Sequence, residues 1–142
     1  MSLAPTQYEE RLRGWLDGGT GILLNGLPAV DVWPSRTAID PSAAEFRAAL
    51  RNRGWGGLVA ADNAVLEGIR NISSLLAADR MWFVEGAAPE LERELLGYLQ
   101  DPKAQKEGSD APMKVDDHGP DALRYGVAAA RQVWRPWVGQ VA

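Results

Sequence analysis

Thr37-Ala38-Ile39-Asp40-Pro41-Ser42-Ala43-Ala44-Glu45-Phe46 is the stretch on which the fold turns. It reads as the end of a strand passing into a helix. Ser42 and Glu45 have the spacing of a capping box, in which the hydroxyl and the carboxylate satisfy the first free N–H groups of a helix. With Ser42 as the cap, Asp40 is left at the carboxyl end of the strand, where open α/β sheets place their ligands. The plainer alternative is a turn-forming Asp-Pro pair.

Working outward, the helix is expected over 42–52, with Ala43, Phe46 and Leu50 on one face. Gly54-Trp55-Gly56-Gly57 reads as a flexible junction. A short buried strand follows over 58–61, then an amphipathic helix over 63–77 carrying Val65, Ile69, Ile72 and Leu76. Met81–Val84 reads as another short apolar strand. Pro89 opens a helix with Leu91, Leu95 and Leu99 along one side. Upstream, a helix is expected over 8–16, followed by a glycine-rich apolar segment over 18–25 that Gly26 and Pro28 break. Helices alternating with short apolar strands give an α/β fold, a short mainly parallel sheet flanked by helices.

Val115-Asp116-Asp117-His118-Gly119-Pro120-Asp121-Ala122-Leu123-Arg124-Tyr125 carries the chain's single histidine among three carboxylates. It opens a helix expected over 118–133. On that helix His118 and Asp121 share a face. A nitrogen and an oxygen donor aimed at one point suit a hard divalent cation such as Mg or Mn. Acidic residues in a first turn also serve as caps and dipole partners with no metal. The segment alone leaves both readings open.

Three motifs in order, Ile39-Asp40-Pro41-Ser42-Ala43-Ala44-Glu45-Phe46, Ala61-Asp62-Asn63-Ala64-Val65-Leu66-Glu67-Gly68-Ile69 and Asp117-His118-Gly119-Pro120-Asp121-Ala122-Leu123-Arg124-Tyr125, resemble the terminase large subunit of tailed bacteriophages. Glu94-Leu95-Leu96-Gly97-Tyr98 and Lys103-Ala104-Gln105 have the same texture. The resemblance covers the second part of the C-terminal nuclease domain, from about residue 8 to residue 130. It implies a partial ribonuclease H-like fold and cleavage of double-stranded DNA during genome packaging, with two Mg or Mn ions held by acidic residues. Carried over by motif, Asp40, His118 and Asp121 are the expected catalytic residues, and the same three with Asp117 are the expected metal ligands. Two such ions activate water and stabilise the leaving oxygen of a phosphodiester. The implied partners are DNA, the remainder of the large subunit, the terminase small subunit and the portal, in the cytoplasm of a bacterial host.

The sequence departs from the family in one respect. The first acidic strand of the nuclease domain has no counterpart here, and Asp17 and Asp31 are the candidates to replace its carboxylate. No G-x-x-x-x-G-K-[ST] run is present, so the packaging ATPase half is not represented. The chain is expected to be one domain over 1–142, a nuclease-domain fragment whose cutting activity belongs to the full-length protein. A non-catalytic prophage remnant or interaction module that keeps the fold is the alternative, and a junction-resolving nuclease of the same fold is a third. The missing strand would leave a sheet edge unpaired, which predicts a homodimer or an edge covered by the N-terminal segment.

Composition narrows the classes. The chain has 142 residues, enough for one core, and a net charge of −4. That balance argues against a strong non-specific nucleic-acid binder but not against a nuclease. With no cysteine there is neither a disulfide framework nor a thiolate site. No apolar run approaches the ~20 residues of a membrane span. The polar segment 101–114 reads as a mobile loop whose Lys103, Lys106 and Lys114 either touch phosphates or, the favoured reading, are simply solvated. Asp62 is expected to cap the helix after it, and Glu85 is a further candidate ligand. Arg131, Trp134, Arg135 and Trp137 form a tail that either stacks on DNA or, the favoured reading, folds back on the body.

Overall fold

A computed structural model describes residues 3–18, 23–24, 27–28, 33–96 and 117–138. They form helix α1 (Pro5–Gly18), strands β1 (Leu23–Leu24), β2 (Leu27–Pro28) and β3 (Thr37–Ile39), and helix α2 (Ala44–Asn52). Strand β4 (Leu58–Ala60) and helices α3 (Val65–Ala77), α4 (Pro89–Leu96), α5 (His118–Ala129) and α6 (Arg131–Val138) follow. The chain divides into two compact units, residues 1–60 and 61–142.

The first unit is a β-α-β core braced by α1. Pro5 stands at the first helical position of α1, where its missing N–H costs nothing. Gln7 Oε1 reaches back to accept the Ala4 N–H at 2.8 Å, half of a capping box. The inward face of α1 packs on α2. β3 and β4 pair in parallel, with Thr37 opposite Leu58, Ala38 opposite Val59 and Ile39 opposite Ala60. Parallel pairing requires a crossover, and α2 supplies it. Leu16, Ile39, Leu50 and Trp55 close the core, flanked by Leu12, Ala43, Phe46 and Leu58. β1 and β2 pair antiparallel as a two-residue ladder. The expected α/β class with a short parallel sheet is what the structure has.

The glycine-rich stretch after α2 is not a flexible junction. Gly54 takes a φ of +85°. Trp55 N–H donates to the Leu50 carbonyl and Gly54 N–H to the Arg51 carbonyl, both at 3.1 Å. This is a Schellman close, which uses the glycine's freedom to satisfy the last carbonyls of the helix. It drives the Trp55 ring into the core, where it meets Trp33 edge-on at 5.0 Å between centroids.

In the second unit α5 packs against both α3 and α4. α3 buries Gly68 and Leu75, with Val65, Asn71 and Ile72 partly covered. Leu76, expected on the buried stripe, is exposed, so the inward face is rotated from the one the aliphatic spacing marks. Gly68 lies on that inward face, against the stem of Arg124. α3 ends in a second Schellman close with Asp79 at a φ of +51°. Arg80 N–H donates to the Leu75 carbonyl at 2.9 Å and Asp79 N–H to the Leu76 carbonyl at 3.1 Å. Met81–Val84, expected as a strand, pairs with no strand among the described residues, and Trp82 is 74% exposed. Without a neighbouring strand to take its N–H and C=O groups, its β propensity is not expressed. Pro89 opens α4 as expected. The single helix expected over 118–133 is broken at Ala130 into α5 and α6. Trp134 Nε1–H donates at 2.7 Å to the Val127 carbonyl, one of those the end of α5 releases. No described helix is long and apolar enough to cross a membrane.

Candidate functional site

β3 ends at the buried Ile39, so Asp40 leaves the carboxyl end of the strand, as the sequence predicts. Its Oδ1 accepts the Ser42 N–H at 2.8 Å and the Ser42 hydroxyl at 2.7 Å. Its carbonyl accepts the Ala43 N–H at 2.9 Å. This is an Asx-turn, a carboxylate mimicking a backbone turn. The expected Ser42–Glu45 capping box is absent: α2 starts at Ala44, and Ala43 in the capping position makes no side-chain cap bond. The Ser42 hydroxyl is turned to Asp40 instead, so Asp40 orders the entry to α2.

The second group of candidates opens α5. Asp117 holds the capping position, its carbonyl accepting the Asp121 N–H at 2.8 Å, while its side chain makes no cap bond. The cap comes from another helix. Glu94 of α4 is buried, and its Oε2 accepts the Gly119 N–H at 2.6 Å. A carboxylate there meets the positive end of the helix dipole. Gly119 makes this approach possible, since a Cβ on it would lie 2.6 Å from Glu94 Oε2 and 3.0 Å from Leu91 Cδ1. Sequence reasoning misses Glu94. Its one local signal is a charged residue inside the apolar row of α4, beside Leu91 and Leu95.

His118 is exposed at the first position of α5, one turn before Asp121, so the shared face is real. Asp121 has a committed partner, however. Its Oδ1 forms an ion pair with Arg124 Nη2. Arg124 is only 3% exposed, and its guanidinium carbon lies 5.5 Å from the Tyr125 ring centroid. Its aliphatic stem crosses Gly68 of α3, where a Cβ would lie 2.9 Å from Arg124 Cδ.

One turn of α5 thus gathers Asp117, His118 and Asp121, while Asp40 belongs to the first unit. The donor types suit Mg or Mn. Their arrangement does not: Asp121 faces a guanidinium, and Glu94 faces a helix N-terminus. Among the described residues no three His, Asp or Glu side chains are placed to hold a metal ion. Asp17 is exposed in the last turn of α1 and Glu85 is exposed in a turn. Asp31, Lys103, Lys106 and Lys114 lie outside the described residues, as does the expected loop over 101–114.

Asp62, expected to cap α3, does not hold the capping position: Ala64 does, with no side-chain cap bond, and Asp62 Oδ1 accepts the Ala64 N–H at 2.9 Å in an Asx-turn just before the helix. The C-terminal tail folds back in part. Arg131 reaches Glu67 at 2.8 Å and Asp62 at 3.9 Å, and Trp134 bonds the end of α5. Val133, Arg135 and Trp137 stay exposed.

The cluster that sequence reasoning misses altogether is in the first unit. Glu9 of α1 has no exposed surface. Its Oε1 accepts Trp55 Nε1–H at 2.7 Å and Arg13 Nε–H at 2.8 Å, and its Oε2 accepts Arg53 Nε–H at 2.9 Å. Burial pushes its pKa up, but these three donors outweigh burial and hold the carboxyl below its ordinary value. Arg53 is raised in turn by its bond to Glu9.

No protein-family model matches the chain, and no curated protein matches it. Solved structures do. The large terminase of a thermophilic bacteriophage, in complex with ADP, is 34% identical over 89% of this chain with a TM-score of 0.69. In a second crystal form of that terminase the identity is 32% over 93% of this chain, with a TM-score of 0.71. The chain is related to the large terminases of phages. It spans 28–29% of the terminase chains it matches. The terminase relationship embraces both units, because nearly nine-tenths of the chain takes part in the match.

Proposed function

We propose that this chain is the portion of a phage DNA-packaging large terminase that takes part in cutting double-stranded DNA. The observation that carries the reading is the 32–34% identity to large terminase structures over about nine-tenths of the chain. The residues proposed for the cleavage site are Asp40, Asp117, His118 and Asp121, with Mg or Mn as the cation the full-length protein would use. The remainder of the large subunit, the terminase small subunit and the portal are the proposed partners. In this chain the contributions are positional. Asp40 sits at the end of β3, fixed by Ser42, and Glu94 anchors the turn of α5 that presents Asp117, His118 and Asp121.

A second reading, an interaction module without catalysis, is favoured by the local engagement of Asp40 by Ser42 and of Asp121 by Arg124. Plasmid nicking by the purified chain in Mg or Mn, beside Asp40→Ala and Asp121→Ala, separates the two. Metal-dependent cutting lost in both variants supports the nuclease reading. Cutting that survives both overturns the residue assignment, and no cutting by the parent chain favours the interaction module.

A further inference from the structure

We propose that Arg124 is a built-in cation that holds the Asp121 carboxylate and keeps a divalent metal from it. The idea gives the nuclease reading a means of control and rests on that reading for its meaning, but its geometry lies wholly within the second unit. Arg124 is buried, and its guanidinium pairs with Asp121 Oδ1 from one turn further along α5. A pair of this kind on an exposed helix face exchanges freely with water; here the arginine is fixed at its stem. Gly68, in the interior of α3, is the residue that permits this. A Cβ at that position would lie 2.9 Å from Arg124 Cδ and 3.2 Å from Cβ and Cγ. Glycine weakens a helix interior, so its place here is explained by the close approach of the arginine stem. Tyr125 sets its ring beside the same guanidinium.

A divalent ion on the Asp121 carboxylate would sit about 2.0–2.6 Å from an oxygen. It would therefore lie within a few ångströms of the guanidinium, and their repulsion is strong where water is partly excluded. Metal binding at Asp121 then requires Arg124 to withdraw. This accounts for the disagreement between a donor set that suits Mg or Mn and an arrangement that does not receive either.

The test is a Mn²⁺ titration of the full chain, followed by the electron paramagnetic resonance signal of free Mn²⁺. The parent and Asp121→Asn should bind equally weakly. Arg124→Gln should bind at least about tenfold more tightly, since it removes the adjacent positive charge. Adding Asp121→Asn to Arg124→Gln should return binding to the parent level. Gly68→Ala keeps every charge but displaces the arginine stem, and should tighten binding by a smaller factor. If Arg124→Gln fails to fold by circular dichroism, Gly68→Ala decides: tighter Mn²⁺ binding supports the inference and unchanged binding overturns it. A parent chain that binds Mn²⁺ through Asp121, with Arg124→Gln no tighter, overturns it as well, as does an Arg124→Gln variant that folds and binds no Mn²⁺. An Arg124→Gln variant that gains Mn²⁺ affinity and still does not nick DNA counts against the nuclease reading and leaves this inference standing.

Discussion

Glu9 holds three donors to one buried carboxylate, two of them arginines that keep partial access to water. Removing one partner of a buried ion pair costs about 3–5 kcal/mol when both ends are desolvated. Here the exposed guanidinium groups can re-solvate, so Glu9→Gln should cost about 1–3 kcal/mol, read from urea unfolding. The same group predicts acid sensitivity. The folded pKa of Glu9 lies below its ordinary value of 4.5. Its stabilisation is therefore fully present above that ordinary value and is lost as pH falls through the lower folded one. The parent's melting temperature should drop as the solution is acidified past that point, and Glu9→Gln should show a shallower drop. Equal slopes in the two proteins would remove Glu9 as a source of that sensitivity. Nothing in Tyr8-Glu9-Glu10-Arg11 marks the first glutamate over the second, because its partners Arg53 and Trp55 lie 44 and 46 positions away.

At the scale of elements, two left-handed positions make opposite predictions. Asp79 closes α3 at a φ of +51°, a conformation that costs an L-residue energy and glycine none. Asp79→Gly should stabilise the chain by about 0.5–1 kcal/mol, seen as a raised melting temperature. Gly57 has a φ of +65° and has no room for a Cβ, since one would collide with the Ser35 carbonyl. Gly57→Ala should destabilise by more than about 2 kcal/mol, because strain and a backbone clash add, and urea unfolding measures it. An alanine tolerated within about 0.5 kcal/mol would mean that the Ser35 turn moves freely. These elements also show what sequence makes legible. The helix over 44–52, the strand over 58–60 and the start of α4 at Pro89 follow from local pattern and proline chemistry. The Schellman close at Gly54 is hidden because a glycine-rich run looks alike whether it is loose or locked. Met81–Val84 misleads in the other direction, since β propensity describes a strand only where a partner is present. For the candidate site, the shared face of His118 and Asp121 is readable from spacing. The Glu94 cap and the Arg124 clasp are not, because each depends on which helices meet.

Over the whole molecule, charge decides how the chain should meet DNA. Fifteen lysines and arginines face nineteen aspartates and glutamates. Several of the arginines are already engaged internally: Arg13 and Arg53 on Glu9, Arg124 on Asp121, and Arg131 on Glu67. Affinity for a duplex comes largely from cations that neutralise phosphates and release counterions, and it falls steeply with salt. A chain with a net charge of −4 and several engaged arginines offers little of that source. Its binding to a short labelled duplex at about 0.15 M salt should therefore be weak, with a Kd above roughly 1 µM by fluorescence anisotropy. The salt slope should be shallow, reporting few phosphate contacts. Neutralising acidic positions that face the solvent should tighten binding more than removing any single arginine weakens it. A sub-micromolar Kd at that salt, with a steep slope, would show that cations such as Arg47 and Arg51 act together as a phosphate-binding surface. In that case recognition of DNA would reside in this chain itself.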